Sequence, residues 1–149
     1  DNSLADWVTS GGLSAAIVNG NLRLGDSTSS CTNSPPGVAT AVINLDMPTD
    51  SGYKLYIDAI MTTYDQLPDP SEDKFDAFEV SLDGSFVQRF GNPDSPLNCN
   101  TERTVIINPS FSLDTYVGSS ATEVRFDNYR RFDNFYNTYT DINKIYIGK

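Results

Sequence analysis

The stretch Thr63–Gly91, TYDQLPDPSEDKFDAFEVSLDGSFVQRFG, decides the fold class. Phe78, Val80 and Leu82 fall on one face and Glu79 and Ser81 on the other, the period of two that a half-buried strand requires. Asp83-Gly84 follows, a dipeptide that accepts the φ > 0 backbone of a two-residue hairpin turn, and Phe86–Phe90 returns. The same stretch gathers Asp65, Asp69, Glu72, Asp73, Asp76, Glu79 and Asp83 against Lys74 and Arg89. Crowded carboxylates repel, so such a segment is either widely solvated or collected around a hard cation such as Ca2+.

Working outward, period-two alternation recurs and no apolar 3.6-residue period runs for a helical length. Leu13–Val18 reads as a strand, Asn19-Gly20 as a type I′ turn, and Leu22 with Leu24 as the return. Ala39, Ala41, Ile43 and Leu45 alternate with Thr40 and Asn44. Leu55, Ile57, Ala59 and Met61 do the same with Lys54, Tyr56 and Asp58. Thr104–Ile107, Val124 with Phe126, and Ile145 with Ile147 bring the total to about nine strands separated by turn signals. The expected fold is all-β, a two-sheet antiparallel β-sandwich (jelly roll) forming one domain over residues 1–149. Its core is expected to hold Ile43, Leu55, Ile57, Phe78, Val80, Leu82, Val124, Phe126, Ile145 and Ile147.

Composition narrows the function. A formal charge of −10 disfavours nucleic acid and anionic membrane surfaces, whose binding is driven by Lys and Arg. No apolar run approaches the ~18 residues of a membrane-spanning helix, so membrane insertion is not expected. The chain opens at Asp1 without an initiator Met, as a processed protein or a module excised from a longer one would. The two cysteines lie in turn-rich loops and no His is present, which excludes a Cys2His2 site. In a secreted domain they read as a Cys31–Cys99 disulfide, with free thiols or bridges to neighbouring subunits as the alternatives.

Two segments carry candidate chemistry. Asp65, Asp73 and Asp76 can meet over one cation if their loop folds back on the strand, with Asn143 or Asp141 completing the shell. Hard oxygens without His or Cys favour Ca2+ over a transition metal. The plainer reading is a solvated loop. The second segment is Asp127–Asp141, DNYRRFDNFYNTYTD. Tyr129, Phe135, Tyr136 and Tyr139 offer ring faces to sugar C–H groups, and Arg130 and Arg131 offer planar donors to hydroxyls. The same residues suit a protein interface, or simply plug the end of the sandwich. Catalysis has little support: without His the usual triads are excluded, and neither a G-x-S-x-G elbow nor a Gly-rich phosphate loop occurs.

Three stretches carry a family likeness: Trp7–Gly25, Tyr64–Gly84, and Phe111–Asn128 with the closing INKIYIG. The chain resembles the jelly-roll accessory modules of secreted bacterial proteins, namely the carbohydrate-binding-module, galactose-binding-like and MAM-like sandwiches. In such modules a cation is often held where the acidic loop meets the terminal strand, which implicates Asp65, Asp73 and Asp76. Asn143 stands where similar domains often have Asp. The resemblance implies a non-catalytic, extracellular or cell-surface domain that recognises glycans, with Ca2+ as structural cement. The alternative is a structural subunit of a surface fibre, sheath or adhesin, whose partner is a neighbouring protein subunit joined through strand or loop contacts.

Overall fold

The computed structural model describes residues 6–26, 36–67, 69–72, 75–93, 102–130 and 138–149. Among them run eleven strands: β1 (Val8–Gly11), β2 (Ala15–Val18), β3 (Asn21–Leu24), β4 (Gly37–Leu45), β5 (Lys54–Thr63), β6 (Ala77–Leu82), β7 (Ser85–Phe90), β8 (Arg103–Ile107), β9 (Ser110–Ser112), β10 (Thr122–Arg130) and β11 (Thr138–Gly148). A 3-10 turn, Asp114–Tyr116, lies between β9 and β10. A five-stranded sheet has the order β1-β4-β10-β6-β7; a six-stranded sheet has the order β2-β3-β11-β5-β8, with β9 also paired to β5. Every pairing is antiparallel.

The expected all-β sandwich is what forms. Leu55, Ile57, Phe78, Val80, Leu82, Val124 and Phe126 are buried between the sheets, and Ile43, Ile145 and Ile147 pack against them half-buried. Phe126 is the hub: its ring lies 5.7 Å from Phe78 and 5.7 Å from Trp7. Both anticipated tight turns have the left-handed backbone a type I′ hairpin needs, with φ of 52° and 82° at Asn19-Gly20 and 49° and 74° at Asp83-Gly84.

Three boundaries differ from expectation. Strands β1 and β9 lack clear apolar alternation; their sequences VTSG and SFS pair as edges onto longer strands. More consequentially, β10 extends to Arg130 and β11 begins at Thr138, so both ends of the Asp127–Asp141 aromatic segment are sheet. Finally, β11 carries a bulge between Ile142 and Lys144. Thr138, Thr140 and Ile142 face inward before it, and Ile145 and Ile147 after it.

Polar ties hold the sheets together at one end. Asn128, wholly buried, donates through Nδ2 to the Thr138 carbonyl at 2.9 Å and accepts the Thr140 hydroxyl on Oδ1 at 2.9 Å. Gly25 leaves room for this: its φ is +97°, and a Cβ there would stand 2.8 Å from Asn128 Nδ2.

Candidate functional site

The acidic loop is closed by its own backbone. Asp65 accepts the Gln66 N–H on Oδ1 at 2.7 Å and the Asp76 N–H on Oδ2 at 2.8 Å. Its own N–H donates to Thr63 Oγ1 at 2.9 Å, and Asn92 Nδ2 donates to its carbonyl at 3.3 Å. Arg89 braces the loop from β7: Nη1 donates to the Glu72 carbonyl at 2.7 Å while Nε holds Glu79 Oε1 at 2.6 Å. Asp65 and Asp76 are therefore neighbouring buried carboxylates at the start and end of one loop.

Asn143 and Asp141 are not beside them. Asp73 lies outside the described residues. Asn143 occupies the β11 bulge, where its Nδ2 is 3.4 Å from Asp58 Oδ1. Asp58 precedes Thr63 by five residues on β5, about 16 Å at a strand's rise. Asp141 is taken by Arg23. Among the described residues no group of three His, Cys, Asp or Glu side chains stands ready to share a metal ion. Ca2+ takes six to eight oxygens, so Asp65 and Asp76 supply only part of a shell.

The aromatic tract is divided by the sheets. Period two turns Tyr129 outward from the five-stranded sheet and Arg130 inward, where it is 3% exposed. Among the described residues no hydrogen-bond partner meets Arg130 Nε or Nη2. Tyr139 faces outward from the opposite, six-stranded sheet, beneath the Arg23 guanidinium at 4.3 Å. Tyr129, Arg130 and Tyr139 thus do not form one binding surface: strand geometry separates side chains that the sequence alone places in one tract. Arg131, Phe135 and Tyr136 lie outside the described residues, as do Cys31 and Cys99.

A possible carboxylate pair also has a structural explanation. Glu79 and Asp127 are cross-strand neighbours on the outer face of the five-stranded sheet. Glu79 is engaged by Arg89, and Asp127 by the Thr40 hydroxyl and by Arg125 through Nε at 2.7 Å and Nη2 at 3.0 Å. Its bonds to Asp127 push the Arg125 pKa above its ordinary value.

Concavity occurs elsewhere, around Trp7. This residue precedes β1 and wedges between the sheets with its ring against Phe126. A cavity of about 360 Å³ lies on one side, lined by Ile17, Leu22 and Ile142 and by the bulged stretch of β11 at Asn143 and Lys144. A second, about 370 Å³, lies on the other, lined by Asp6, Ile43, Leu45 and the Ile145–Ile147 stretch of β11. Both touch Trp7 and Ile145, so β11 forms a common floor. Tyr146 is 45% exposed and stacks on Tyr56, centroids 4.8 Å apart and planes within 7°, with Lys144 Nζ 4.6 Å from its centroid. The alternation of Tyr146 between Ile145 and Ile147 marked it as outward-facing; only the strand register brings it to Tyr56.

No protein-family model matches the sequence, and no curated protein does. Among solved structures the chain is similar to a family 61 carbohydrate-binding module in complex with β-1,4-galactotriose, at 10% identity and a TM-score of 0.47, over 99% of this chain and 91% of that one. It is also similar to a family 4 carbohydrate-binding module at 11% identity and 0.44, over 99% and 97%. A family 35 module from Clostridium thermocellum gives 12% and 0.37, over 93% and 92%. All three are carbohydrate-binding modules. At these scores the likeness bears on neither ligand nor site.

Proposed function

We propose that the chain is a non-catalytic, secreted β-sandwich that binds carbohydrate in the groove divided by Trp7. The observation behind this reading is the lining of that groove. The Trp7 ring stands among aliphatic side chains of both sheets, Ile17, Leu22 and Ile142 on one side and Ile43, Leu45 and Ile147 on the other, with Asp6 beside it. Sugars present the matching surfaces, apolar C–H faces edged by hydroxyls. Catalysis is disfavoured because Glu79 and Asp127, a neighbouring acidic pair, are each held by an arginine rather than turned toward a substrate. Among the described residues no helix is long and apolar enough to cross a membrane.

Ca2+ belongs to the same proposal as structural cement. Asp65 and Asp76 would contribute two ligands, and the remaining oxygens would come from the rest of the loop, without Asn143. The alternative partner, a neighbouring subunit, draws support from the edge strands: Val8 on β1 and Ile106 on β8 are 68% and 72% exposed. A glycan array together with light scattering distinguishes the two. Binding by a monodisperse monomer supports the carbohydrate reading; concentration-dependent polymers without glycan binding favour the subunit reading.

A further inference from the structure

We infer that residues 6–11 exchange between two copies of this chain, each copy's Trp7 and β1 docking in the groove and on the β4 edge of the other. This stands apart from the carbohydrate reading and gives the neighbouring-subunit reading a specific form. The segment is held to its own fold by little. β1 has four residues, all exposed, and lies at the end of its sheet, paired to β4. Trp7 carries it into the core, packed on Phe126. The slot around that ring is not filled: cavities of about 360 and 370 Å³ continue the groove on either side. A close-packed interior leaves no gaps of this size, so withdrawing the ring forfeits fewer contacts than withdrawing a fully packed tryptophan.

The connection that follows is short and sharply bent. β1 belongs to the five-stranded sheet and β2 to the six-stranded one, so Gly12, Leu13 and Ser14 carry the chain from one sheet to the other. At its start Gly11 holds φ +99°, a backbone that glycine adopts readily, and a Cβ there would collide with the Val38 carbonyl. Gly12 has open space around it and is the natural hinge. Short, strained hinges favour exchange, because straightening them relieves the bend while every docking contact is remade.

The closed chain also defines what the partner must offer. When β1 swings out, the β4 edge loses its pairing from Ala39 to Val42, and Ile17, Leu22, Ile43 and Leu45 are left lining an open slot. An apolar slot beside an unpaired strand edge fits a large apolar residue followed by an extended segment. Trp7-Val8-Thr9-Ser10 of a second copy is such a segment, and its register is already selected: Val8 opposite Val42, Ser10 opposite Thr40.

The test mixes two variants of the intact chain, Val8→Cys and Val42→Cys, whose positions are strand partners. Mixed at high concentration, warmed below the melting temperature and then oxidised, they should give a covalent dimer whose linked peptides join position 8 of one chain to position 42 of the other. The parent chain, with its native Cys31 and Cys99, is carried through alongside to mark any link those thiols make. Light scattering on chains without new cysteines is the second measurement. Dimer should increase with concentration; deleting Gly12 should raise its share several-fold, and a short Gly/Ser insertion between Gly12 and Leu13 should lower it several-fold. Links that join position 8 only to position 8 would mean edges docking without exchange, and overturn the inference. So does a dimer whose share ignores hinge length, or a chain that stays monomeric throughout. None of these outcomes bears on the carbohydrate reading, which the glycan array decides.

Discussion

Arg23 grips Asp141 with two parallel bonds across β3 and β11: Nε to Oδ1 at 2.7 Å and Nη2 to Oδ2 at 2.6 Å. Both side chains are under a fifth exposed, and the same guanidinium covers the Tyr139 ring. The hydrogen bond to Asp141 is the main reason the Arg23 pKa lies above its ordinary value. A forked pair of this kind fixes strand register as well as charge. Asp141→Ala is expected to lower unfolding free energy by about 1–3 kcal/mol, measured by urea titration. A double-mutant cycle with Arg23→Ala should give a coupling well above that of an exposed surface pair.

Removing the Asp65 carboxylate should loosen the acidic loop. Two backbone N–H groups, those of Gln66 and Asp76, lose their acceptor in Asp65→Ala. Orphaned buried donors make this a loss of about 2–3 kcal/mol. Asp65→Asn, whose amide keeps one oxygen, should fall between wild type and Ala. Hydrogen exchange at the Asp76 amide reads the change directly.

Calcium has a separate signature. A ligand that binds only the folded chain raises its stability in proportion to RT ln(1 + [L]/Kd). Melting temperature should therefore rise with added Ca2+ and fall in excess chelator, and Asp76→Asn should diminish the response. An identical melting curve in both conditions would remove the metal from the proposal.

Acid should weaken the tie between the 3-10 turn and the chain before β5. The Gly52 N–H, 2.7 Å from Asp114 Oδ1, and the Ser112 hydroxyl favour the ionised form and hold the Asp114 pKa below its ordinary value. A depressed carboxylate pKa contributes stability above the unfolded value, near 3.9, and that contribution disappears as pH falls through the folded one. Between about pH 5 and pH 2, Asp114→Asn should consequently lose less stability than wild type, as followed by the urea midpoint. The residue is exposed, so the difference should be small.

Much of the fold was legible in the chain because alternation and turn chemistry are local. The runs around Phe78, Leu55 and Phe126 each declare which face is inside, and Asn19-Gly20 and Asp83-Gly84 declare where the chain reverses. Partner choice is not local. Nothing in KLYIDAI or KIYIG alone says that Tyr56 and Tyr146 will meet, since that depends on β5 and β11 becoming neighbours. The aromatic tract misled for a related reason: polar and aromatic residues over Asp127–Arg130 look like loop until Asn128 is recognised as a buried inter-sheet tie. Trp7 gave a faint signal, the chain's one tryptophan beside a short polar strand, but the space around it exists only once the sheets have closed.

Asn143 acts on β11 as an inserted letter acts on a reading frame. Upstream of it the even-numbered residues belong to the interior; downstream the odd-numbered ones do. Drawing Asn143 into regular pairing would turn Lys144 and Tyr146 toward the core and send Ile145 and Ile147 to the surface, whereas deleting it would remove the bulge and leave every other side chain on its present face. Loss of residue 143 should therefore straighten the strand locally and keep Thr138, Thr140, Ile142, Ile145 and Ile147 on the inner face. Relatives of this domain would then be expected to carry either two residues between Ile142 and Ile145, with the bulge, or one, without it, and to keep both positions apolar in either case.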